Sequence, residues 1–463
     1  MPQTPSLSEA ARRDLAYHLH PVTNLAQLQS DGPLVIVRGD GVYVIDDAGN
    51  RYLEGMSGLW CAGLGFSERR LVEAAYRQMQ QLPFYHAFSG KVAGVSAQLA
   101  ERLVSIAPEG LDRVFFANSG SEANDSAAKL VWYYNNALGR PDKKKIVSRK
   151  RGYHGMTVAA ASMTGLPFAH GDFDVPAARF LHTETPHHWR GAQPGESEEA
   201  FAARLAAELD RLIVAEGPDT VAAFIAEPVM GAGGVIVPPA TYFEQVQRVL
   251  ERHEVLMIAD EVICGFGRTG NMFGSQTYAI RPDILTCAKM LTGAYQPMSA
   301  MMVSSSIYAT LEDQSRKLGI FGHGFTYSGH PVPAAVALET LAIYEERNLI
   351  GHVRNVGAMF QQGLAALADH PLVGEARGVG LIGALELVRD KATRESYDPK
   401  AGVGAKVMAA AQRRGLIIRA MAGDVIAMCP PLVIEAHELR ELLDTLEASL
   451  DEAWGWVQAN GAR

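Results

Sequence analysis

The stretch that decides the fold is residues 256–289, LMIADEVICGFGRTGNMFGSQTYAIRPDILTCAK. One apolar run, residues 256–259, ends at Asp260, and a second, residues 284–288, ends at Lys289. Short apolar runs of this kind are typical of strands that are buried on both faces of a parallel sheet. The carboxyl ends of such strands meet at one edge, where open α/β sheets bind their ligands. The sequence therefore predicts an acid and an amine at one binding edge.

An acid and an amine in that place match the needs of pyridoxal 5'-phosphate (PLP). The lysine amine forms a Schiff base with this cofactor, and a carboxylate pairs with its pyridinium nitrogen. We therefore predict PLP as the cofactor.

Bulk composition limits the other classes of function. The chain has 463 residues, 48% of them hydrophobic, and a net charge of −9. An acidic chain of this kind is not expected to bind nucleic acid. No apolar run approaches the ~20 residues that span a bilayer, so no membrane partner is expected. The four cysteines lack metal-ligand spacing and the first residues lack an apolar signal, which predicts a reduced, cytoplasmic protein.

The order of the predicted elements gives the domain organisation. Residues 1–67 form an N-terminal segment with a small antiparallel meander, expected to pack with the small domain. Residues 68–328 alternate helices and strands and form the large domain, a mainly parallel central sheet with helices on both faces. Residues 329–463 form a smaller α+β domain. The predicted strands are residues 34–37, 43–45, 51–53, 114–116, 145–147, 221–226, 256–259, 284–288, 299–303 and 416–420.

A phosphate site is predicted where a strand leads into a helix at residues 118–124, NSGSEAN. Gly120 allows the backbone to approach an anion, and Ser119 and Ser121 add hydroxyl groups. The helix N-terminus supplies free N–H groups and a positive dipole end. The simpler interpretation is an ordinary helix cap made by Ser121.

Three further side chains are predicted around the cofactor ring. Alternation along a strand places Asp260 and Val262 on the same face, so that Asp260 can pair with the ring nitrogen while Val262 packs on the ring. Tyr153, in a loop after a strand, is the candidate for the opposite ring face. Glu227 ends another strand and could orient His154 or the surroundings of Asp260, or be a buried structural carboxylate.

Lys289 is the candidate nucleophile. A free lysine has a pKa near ~10 and is mostly charged at neutral pH. Burial beside a cationic ring favours the neutral amine that a Schiff base requires. The apolar residues on both sides of Lys289 argue against a surface position.

Together these segments resemble the class III aminotransferases. The resemblance covers about residues 30–455, and the segment 260–270 (DEVICGFGRTG) is highly specific. The matching segments are residues 118–124, 153–155, 226–229, 260–270, 288–289 and 322–331.

The resemblance implies the PLP-dependent transferase fold type I and a homodimer with active sites at the subunit interface. It also implies that Lys289 is the Schiff-base lysine and proton carrier. Thr326 would contact the phosphate of the neighbouring subunit's site, and Arg268 would be structural. The implied cofactor-binding residues are Ser119, Gly120, Ser121, Tyr153, His154, Glu227, Asp260, Val262, Lys289 and Thr326.

Within this family the chain most resembles the pyruvate-dependent ω-aminotransferases, on the strength of Trp60, residues 186–190 (PHHWR) and Arg419. The implied reaction moves an amino group from a primary amine to pyruvate. Arg419 would bind the keto-acid carboxylate and swing away from amines that lack one. Trp60, Phe88 and Tyr153 would line an apolar substrate pocket. A plain arginine at a domain interface is the alternative for Arg419.

Three alternatives remain open from the sequence. A decarboxylase or an aminomutase of the same fold would use the same cofactor residues, and a catalytically silent binding protein would retain only the scaffold. A metal site is not predicted, because the adjacent His187 and His188 would point to opposite faces of a strand and no carboxylate partner is evident.

Overall fold

The computed structural model describes residues 7–461, in which helices and strands alternate through the middle of the chain. The helices are α1 (Glu9–Tyr17), α2 (Leu25–Asp31), α3 (Ser57–Trp60), α4 (Arg69–Gln81), α5 (Gly94–Ile106), α6 (Gly120–Ala137), α7 (Val158–Met163), α8 (His188–Gly191), α9 (Glu198–Glu216), α10 (Tyr242–Arg252), α11 (Gly274–Thr277), α12 (Ser305–Leu318), α13 (Pro331–Glu346), α14 (Leu349–Leu367), α15 (Val403–Arg413) and α16 (Ala436–Asn460). The strands are β1 (Ile36–Asp40), β2 (Tyr43–Asp46), β3 (Arg51–Glu54), β4 (Leu111–Ala117), β5 (Lys145–Arg149), β6 (Phe180–Thr183), β7 (Val221–Ala226), β8 (Leu256–Asp260), β9 (Ile284–Cys287), β10 (Ser299–Ser304), β11 (Val373–Val379), β12 (Ile382–Leu387), β13 (Leu416–Ile417), β14 (Arg419–Met421) and β15 (Val425–Met428). Short 3-10 turns lie at Pro167–Ala169, Pro218–Thr220, Lys289–Thr292 and Pro399–Ala401.

The central sheet has seven strands in the order β4-β10-β9-β8-β7-β5-β6. Strand β10 runs antiparallel to both neighbours, and the pairs among β5 to β9 are parallel. The predicted α/β class with a mainly parallel sheet is therefore confirmed. Strand β6 was not predicted, since its sequence FLHT is short and only half apolar.

Helices cover both faces of this sheet. Phe224 and Met257 pack against α9 and α10, whereas their neighbours Ile225 and Ile258 pack against α6, α7 and α12. Because successive strand residues point to opposite faces, both faces are buried and the strands read as continuous apolar runs.

Two smaller sheets flank the central one. The N-terminal meander forms the order β1-β2-β3-β13, and the C-terminal part forms β11-β12-β15-β14. The sequence predicted one strand over residues 416–420, which is wrong in detail. Buried Ile418 separates β13, which pairs with β3, from β14, which pairs with β15. The strand pairing joins the N-terminal segment to the C-terminal part, while the predicted domain boundaries stay a prediction.

No helix within residues 7–461 is both long enough and apolar enough to cross a membrane.

Arg268 connects three parts of the chain. Its side chain is fully buried, and it donates from Nη1 to the carbonyl oxygens of Leu381 (3.0 Å) and Pro430 (2.6 Å). Nη2 donates to the hydroxyl of Ser57 at 3.3 Å. These contacts are those of a structural arginine.

We expect Arg268→Met to destabilise the protein strongly. The substitution leaves two buried carbonyl oxygens without donors, which costs about 3 kcal/mol or more. The melting temperature should fall clearly, measured by circular dichroism. Arg281→Met is the control, because that side chain is 76% exposed and its loss should leave the melting temperature unchanged. Equal melting temperatures for the two variants would contradict the structural role.

Candidate active site

Asp260 and Lys289 meet at one small cavity at the carboxyl edge of the central sheet. The cavity has a volume of about 90 Å³. Its lining is Gly120, Ser121, Asn124, Tyr153, His154, Gly155, Glu227, Asp260, Val262, Ile263 and Lys289. Most of the cofactor-binding residues expected from the sequence are therefore neighbours in space.

The carboxylate of Asp260 is buried and held from three sides. Oδ2 accepts from the side-chain amide of Asn124 and from Nδ1 of His154, each at 2.8 Å, and Oδ1 accepts from the backbone N–H of Val262 at 3.1 Å. Because a carboxylate accepts only, Nδ1 of His154 carries a proton. These bonds fix the direction in which the acid faces.

Asn124 is a site residue whose role was not predicted from the sequence, although it lies within the segment 118–124. Besides Asp260, its amide donates to the carbonyl of His154 at 2.7 Å, and its own carbonyl accepts from the Thr286 hydroxyl at 2.7 Å. Asn124 thus links three segments of the site. The signal was available, since Asn124 lies three residues after Ser121 and so on the same helix face.

His154 is fully buried, and its Nε2 has no hydrogen-bond partner within residues 7–461. Its backbone N–H donates to the hydroxyl of Thr164 at 2.9 Å, so both the backbone and the side chain of His154 are held in place. Its role beside Asp260 is to orient that carboxylate.

The prediction that strand alternation places Asp260 and Val262 on the same face is wrong. Strand β8 ends at Asp260, so strand alternation does not extend to Val262. A tight turn, closed by the bond from the Val262 N–H to Asp260, brings both residues to the cavity instead. Val262 there packs on Gly120, where an added Cβ would lie 3.0 Å from Cγ1 of Val262.

Glu227 holds the tyrosine loop rather than Asp260. Its two oxygens accept from the backbone N–H groups of Tyr153 (3.0 Å) and Gly231 (2.9 Å). Burial raises the pKa of Glu227. The carboxylate therefore ties two cavity loops together. It is a buried structural carboxylate, and it also orients the loop that carries Tyr153 and His154.

Lys289 follows β9 and begins a 3-10 turn. Its φ is +49°, in the left-handed region that non-glycine residues rarely occupy. Backbone strain of this kind is concentrated at functional sites. The lysine is half-buried and lines the same cavity as Asp260.

The N-terminus of α6 also lines the cavity, through Gly120 and Ser121. Ser119, not Ser121, caps this helix, with its hydroxyl accepting from the N–H of Glu122 at 3.2 Å. Within residues 7–461 the N–H groups of Gly120 and Ser121 have no backbone acceptor. Such groups at a helix start suit a phosphate. The hydroxyl of Ser121 lines the cavity and accepts from the N–H of Met156 at 3.1 Å.

Five predicted residues lie outside the lining of this cavity, namely Ser119, Thr326, Trp60, Phe88 and Arg419. Ser119 and Thr326 are exposed, Trp60 is buried in an apolar cluster that includes Ile263, and Phe88 is 46% exposed. Phe88 lies on an exposed segment between α4 and α5, and the pocket predicted from Trp60, Phe88 and Tyr153 stays a prediction.

Arg419 is half-buried at the start of β14, and its charge and the Tyr153 phenol influence each other. Burial raises the pKa of the Tyr153 phenol, and the positive charge of Arg419 opposes that rise. Burial likewise lowers the pKa of Arg419, and Tyr153 opposes this.

His187 has carboxylate partners that the sequence did not reveal. Its Nε2 bonds to Glu375 at 2.8 Å and lies 4.0 Å from Glu386. Both acids also pair with Arg377, and Arg190 donates to Glu386 at 2.6 Å. Two guanidinium groups thus neutralise these carboxylates, which does not favour a metal ion there.

The turn that carries Trp60 is held by a buried carboxylate. Glu54, at the end of β3, accepts from the N–H of Met56 at 3.2 Å and from the N–H of Gly58. Ser57 and Trp60 both have left-handed φ values, +50° and +66°. Burial raises the pKa of Glu54 to about 7.

The fold and cavity are those of a PLP enzyme of fold type I, and the comparisons with known proteins identify the family. The family Aminotransferase class-III matches residues 26–450, so the chain belongs to the class III aminotransferases.

Relatives and solved structures agree with this family. Gamma-aminobutyrate transaminase 1, mitochondrial, of Oryza sativa subsp. japonica is 53% identical over 436 residues, covering 93% of this chain and 84% of that protein. The gamma-aminobutyrate transaminase 1 of Solanum lycopersicum is 51% identical, covering 94% and 84%. The omega transaminase from Pseudomonas jessenii in complex with PMP is 53% identical with a TM-score of 0.96, covering 97% of this chain and 99% of that chain. A thermostable omega transaminase variant engineered for asymmetric synthesis of enantiopure bulky amines has 52% identity and a TM-score of 0.95, covering 97% and 100%.

Class III aminotransferases use PLP, and the cavity has the chemistry to hold it. The N-terminus of α6 offers free N–H groups for phosphate, Asp260 offers a buried carboxylate for a cationic ring nitrogen, and Lys289 offers a primary amine. The donor set therefore fits the cofactor.

Glu54 predicts a specific pH dependence of stability. Its pKa in the folded protein, about 7, exceeds the ordinary value of 4.5, so folding favours its protonated form. Stability from this group is present below pH 4.5 and is lost as the pH rises to 7. We expect Glu54→Gln, which stays uncharged, to show a smaller fall in melting temperature between pH 5 and pH 8 than the wild type.

The matched control is Glu312→Gln, because Glu312 is 56% exposed. This variant should retain the pH dependence of the wild type. A Glu54→Gln profile parallel to that of the wild type would contradict a raised pKa at Glu54.

Proposed function

We propose that this class III aminotransferase is an ω-aminotransferase that moves an amino group from a primary amine to pyruvate, giving alanine and an aldehyde or ketone. The observation that carries the proposal is one cavity that holds Asp260 and Lys289 together. The proposed mechanism is of the ping-pong type, in which amine and keto acid use the same site in turn.

The cavity residues suggest a division of roles. PLP supplies an electron sink at this site. Asp260, fixed by Asn124 and His154, stabilises positive charge on the ring nitrogen, since a buried and correctly oriented carboxylate favours a cation. Lys289 carries the primary amine that takes the α-proton of the substrate and returns it.

The remaining cofactor contacts are proposed from their positions. Tyr153, held by Glu227, and Val262 cover the two ring faces. Ser121 and Gly120 bind the phosphate through the start of α6. Ser119 supports them by capping that helix.

Arg419 is proposed to read the keto acid. A guanidinium forms two parallel hydrogen bonds with a carboxylate, so it suits pyruvate. Strand β14, which begins at Arg419, belongs to the C-terminal sheet, so we propose that its side chain approaches the substrate from outside the central sheet. An amine without a carboxylate does not need this partner, and Arg419 then has to move aside.

The natural amine is proposed only as a class, a primary amine that carries its amino group on a terminal or secondary carbon. The plant relatives are named gamma-aminobutyrate transaminases, which makes γ-aminobutyrate the first donor to test. Polyamine, taurine, β-alanine and an aromatic amine complete the donor panel, with pyruvate as the acceptor. Alanine formation from pyruvate with any of these donors supports the proposal, and its absence with all of them overturns it.

We propose a homodimer with active sites at the subunit interface. A groove of about 660 Å³ is lined by apolar side chains that include Phe88, Val92 and Ile320. These three are 46%, 58% and 67% exposed, which is unusual for large apolar residues that lie together. Thr326 is exposed next to this groove, so a second subunit seated there would bring it towards the partner's phosphate. Analytical ultracentrifugation tests this proposal, because it measures whether the protein in solution has the mass of two chains.

A cytoplasmic location is proposed on the ground that the four cysteines are free thiols. The plant relatives are named mitochondrial or chloroplastic, so an organelle is the alternative that cell fractionation decides.

Aminotransfer is favoured over the decarboxylase and aminomutase alternatives, because the family and the named relatives are all transaminases. Release of carbon dioxide from an amino acid would favour a decarboxylase instead.

We expect Lys289→Ala to bind PLP but to show no turnover, because the variant keeps the phosphate and ring contacts and loses the proton carrier. Cofactor content is measured by absorbance and turnover by alanine formation. Lys317→Ala, on the last turn of α12, is the control and should behave as the wild type. Rates near those of the wild type in Lys289→Ala would refute the role of the lysine.

We expect Arg419→Ala to slow the half-reaction with pyruvate and to leave the half-reaction with an amine that lacks a carboxylate unchanged. Loss of a bidentate carboxylate contact should cost about 2 kcal/mol or more, roughly thirtyfold in kcat/KM. Stopped-flow absorbance measures the two half-reactions separately. Arg413→Ala, whose side chain is 60% exposed, is the control. An unchanged pyruvate half-reaction would rule out carboxylate recognition by Arg419.

A further inference from the structure

A cluster of three metal-ligating side chains lies at the end of α1, away from the cavity. Asp14 and His18 are four residues apart on α1 and its C-cap, which places them on one face, and His20 follows in the next turn. One ligand atom of each residue lies within 4.8 Å of the others. We propose that Asp14, His18 and His20 form a binding site for a first-row divalent cation of the Zn²⁺ type.

The carboxylate of Asp14 is the centre of the cluster. Oδ1 bonds to Nδ1 of His18 at 2.9 Å, and Oδ2 bonds to Nε2 of His20 at 2.5 Å. The two imidazole rings lie side by side with centroids 4.4 Å apart. Both ring nitrogens are thus already directed at one carboxylate, so little side-chain ordering remains when an ion binds.

The ligand set suits this class of ion. Zn²⁺ takes imidazole nitrogen and carboxylate oxygen at about 2.0–2.2 Å, which separates the ligand atoms of a tetrahedral site by about 3.4 Å. The two nitrogen–oxygen separations, 2.9 and 2.5 Å, are shorter, so each ring nitrogen moves away from the carboxylate by less than about 1 Å to admit the ion. Each neutral imidazole keeps one proton, which shifts to the ring nitrogen that faces away from the ion. The fourth position is open to water.

Charge and access distinguish this cluster from the one at His187. At His187 the two carboxylates are already paired with Arg377 and Arg190, whereas no arginine or lysine within residues 7–461 pairs with Asp14. The side chain of His18 is 59% exposed and those of His20 and Asp14 are 23% and 21% exposed, so an ion can enter.

An ion at this point would join the last turn of α1 to the segment that leads to α2. His20 precedes Pro21, and the two helices themselves are tied by the bond from the Gln29 amide on α2 to the carbonyl of Leu15 on α1 at 3.2 Å. The site is independent of the aminotransferase chemistry.

The test is calorimetric titration of ZnCl₂ into the PLP holoenzyme, without an affinity tag and in a buffer that does not chelate metals. We expect one Zn²⁺ per chain, and a loss of affinity of about tenfold or more in His18→Ala, in His20→Ala and in Asp14→Asn. His437→Ala is the matched control, because His437 is exposed and lies on α16, and it should bind as the wild type does.

A second measurement uses Co²⁺, whose visible absorption reports a tetrahedral nitrogen and oxygen site. The signal should appear in the wild type and be absent from His20→Ala. Zn²⁺ binding that is unchanged in all three cluster variants, or no saturable binding in the wild type, would overturn the proposal. Aminotransferase activity without added metal should be the same in all of these variants, which shows that they fold and separates this test from the proposed function.

Discussion

The whole site depends on one buried carboxylate that has to remain charged and face a single direction. Removing an ion from water costs several kcal/mol unless hydrogen bonds and a counter-charge compensate. At Asp260 the compensation comes from Asn124, His154 and the N–H of Val262. A cationic ring nitrogen is the partner that this arrangement leaves to be supplied. The fold can therefore be understood as a frame that holds these donors around one acid.

The parallel sheet is what makes that frame possible. Strands β7, β8 and β9 are neighbours, and their carboxyl ends lead to Glu227, Asp260 and Lys289 at one edge. Helices on both faces bury the strands and keep water from the carboxylates, which explains the raised pKa of Glu227. Hydrogen bonds between distant segments then hold these elements together, such as the bond from Thr286 on β9 to Asn124 on α6. Positioning of the acid and the lysine is thus a property of strand order.

Much of this was predictable because it follows from local rules. Apolar runs indicated β7, β8 and β9, and the change to polar residues at their ends indicated the site. What could not be predicted depends on contacts between distant segments. Nothing near Glu227 in the sequence shows that it binds the Tyr153 loop, and nothing near His187 reveals Glu375 and Glu386. The split of residues 416–420 into two strands is likewise decided by the sheets that they join. Sequence spacing likewise carries no information on how Trp60 and Phe88 approach each other.

The most direct test is to reduce the PLP holoenzyme with sodium borohydride and to map the labelled peptide by mass spectrometry. Reduction makes the bond between the cofactor and its lysine permanent. We expect the phosphopyridoxyl group on Lys289, at the end of the segment that follows β9. A label on any other lysine would contradict the central claim that Lys289 and Asp260 face one cofactor.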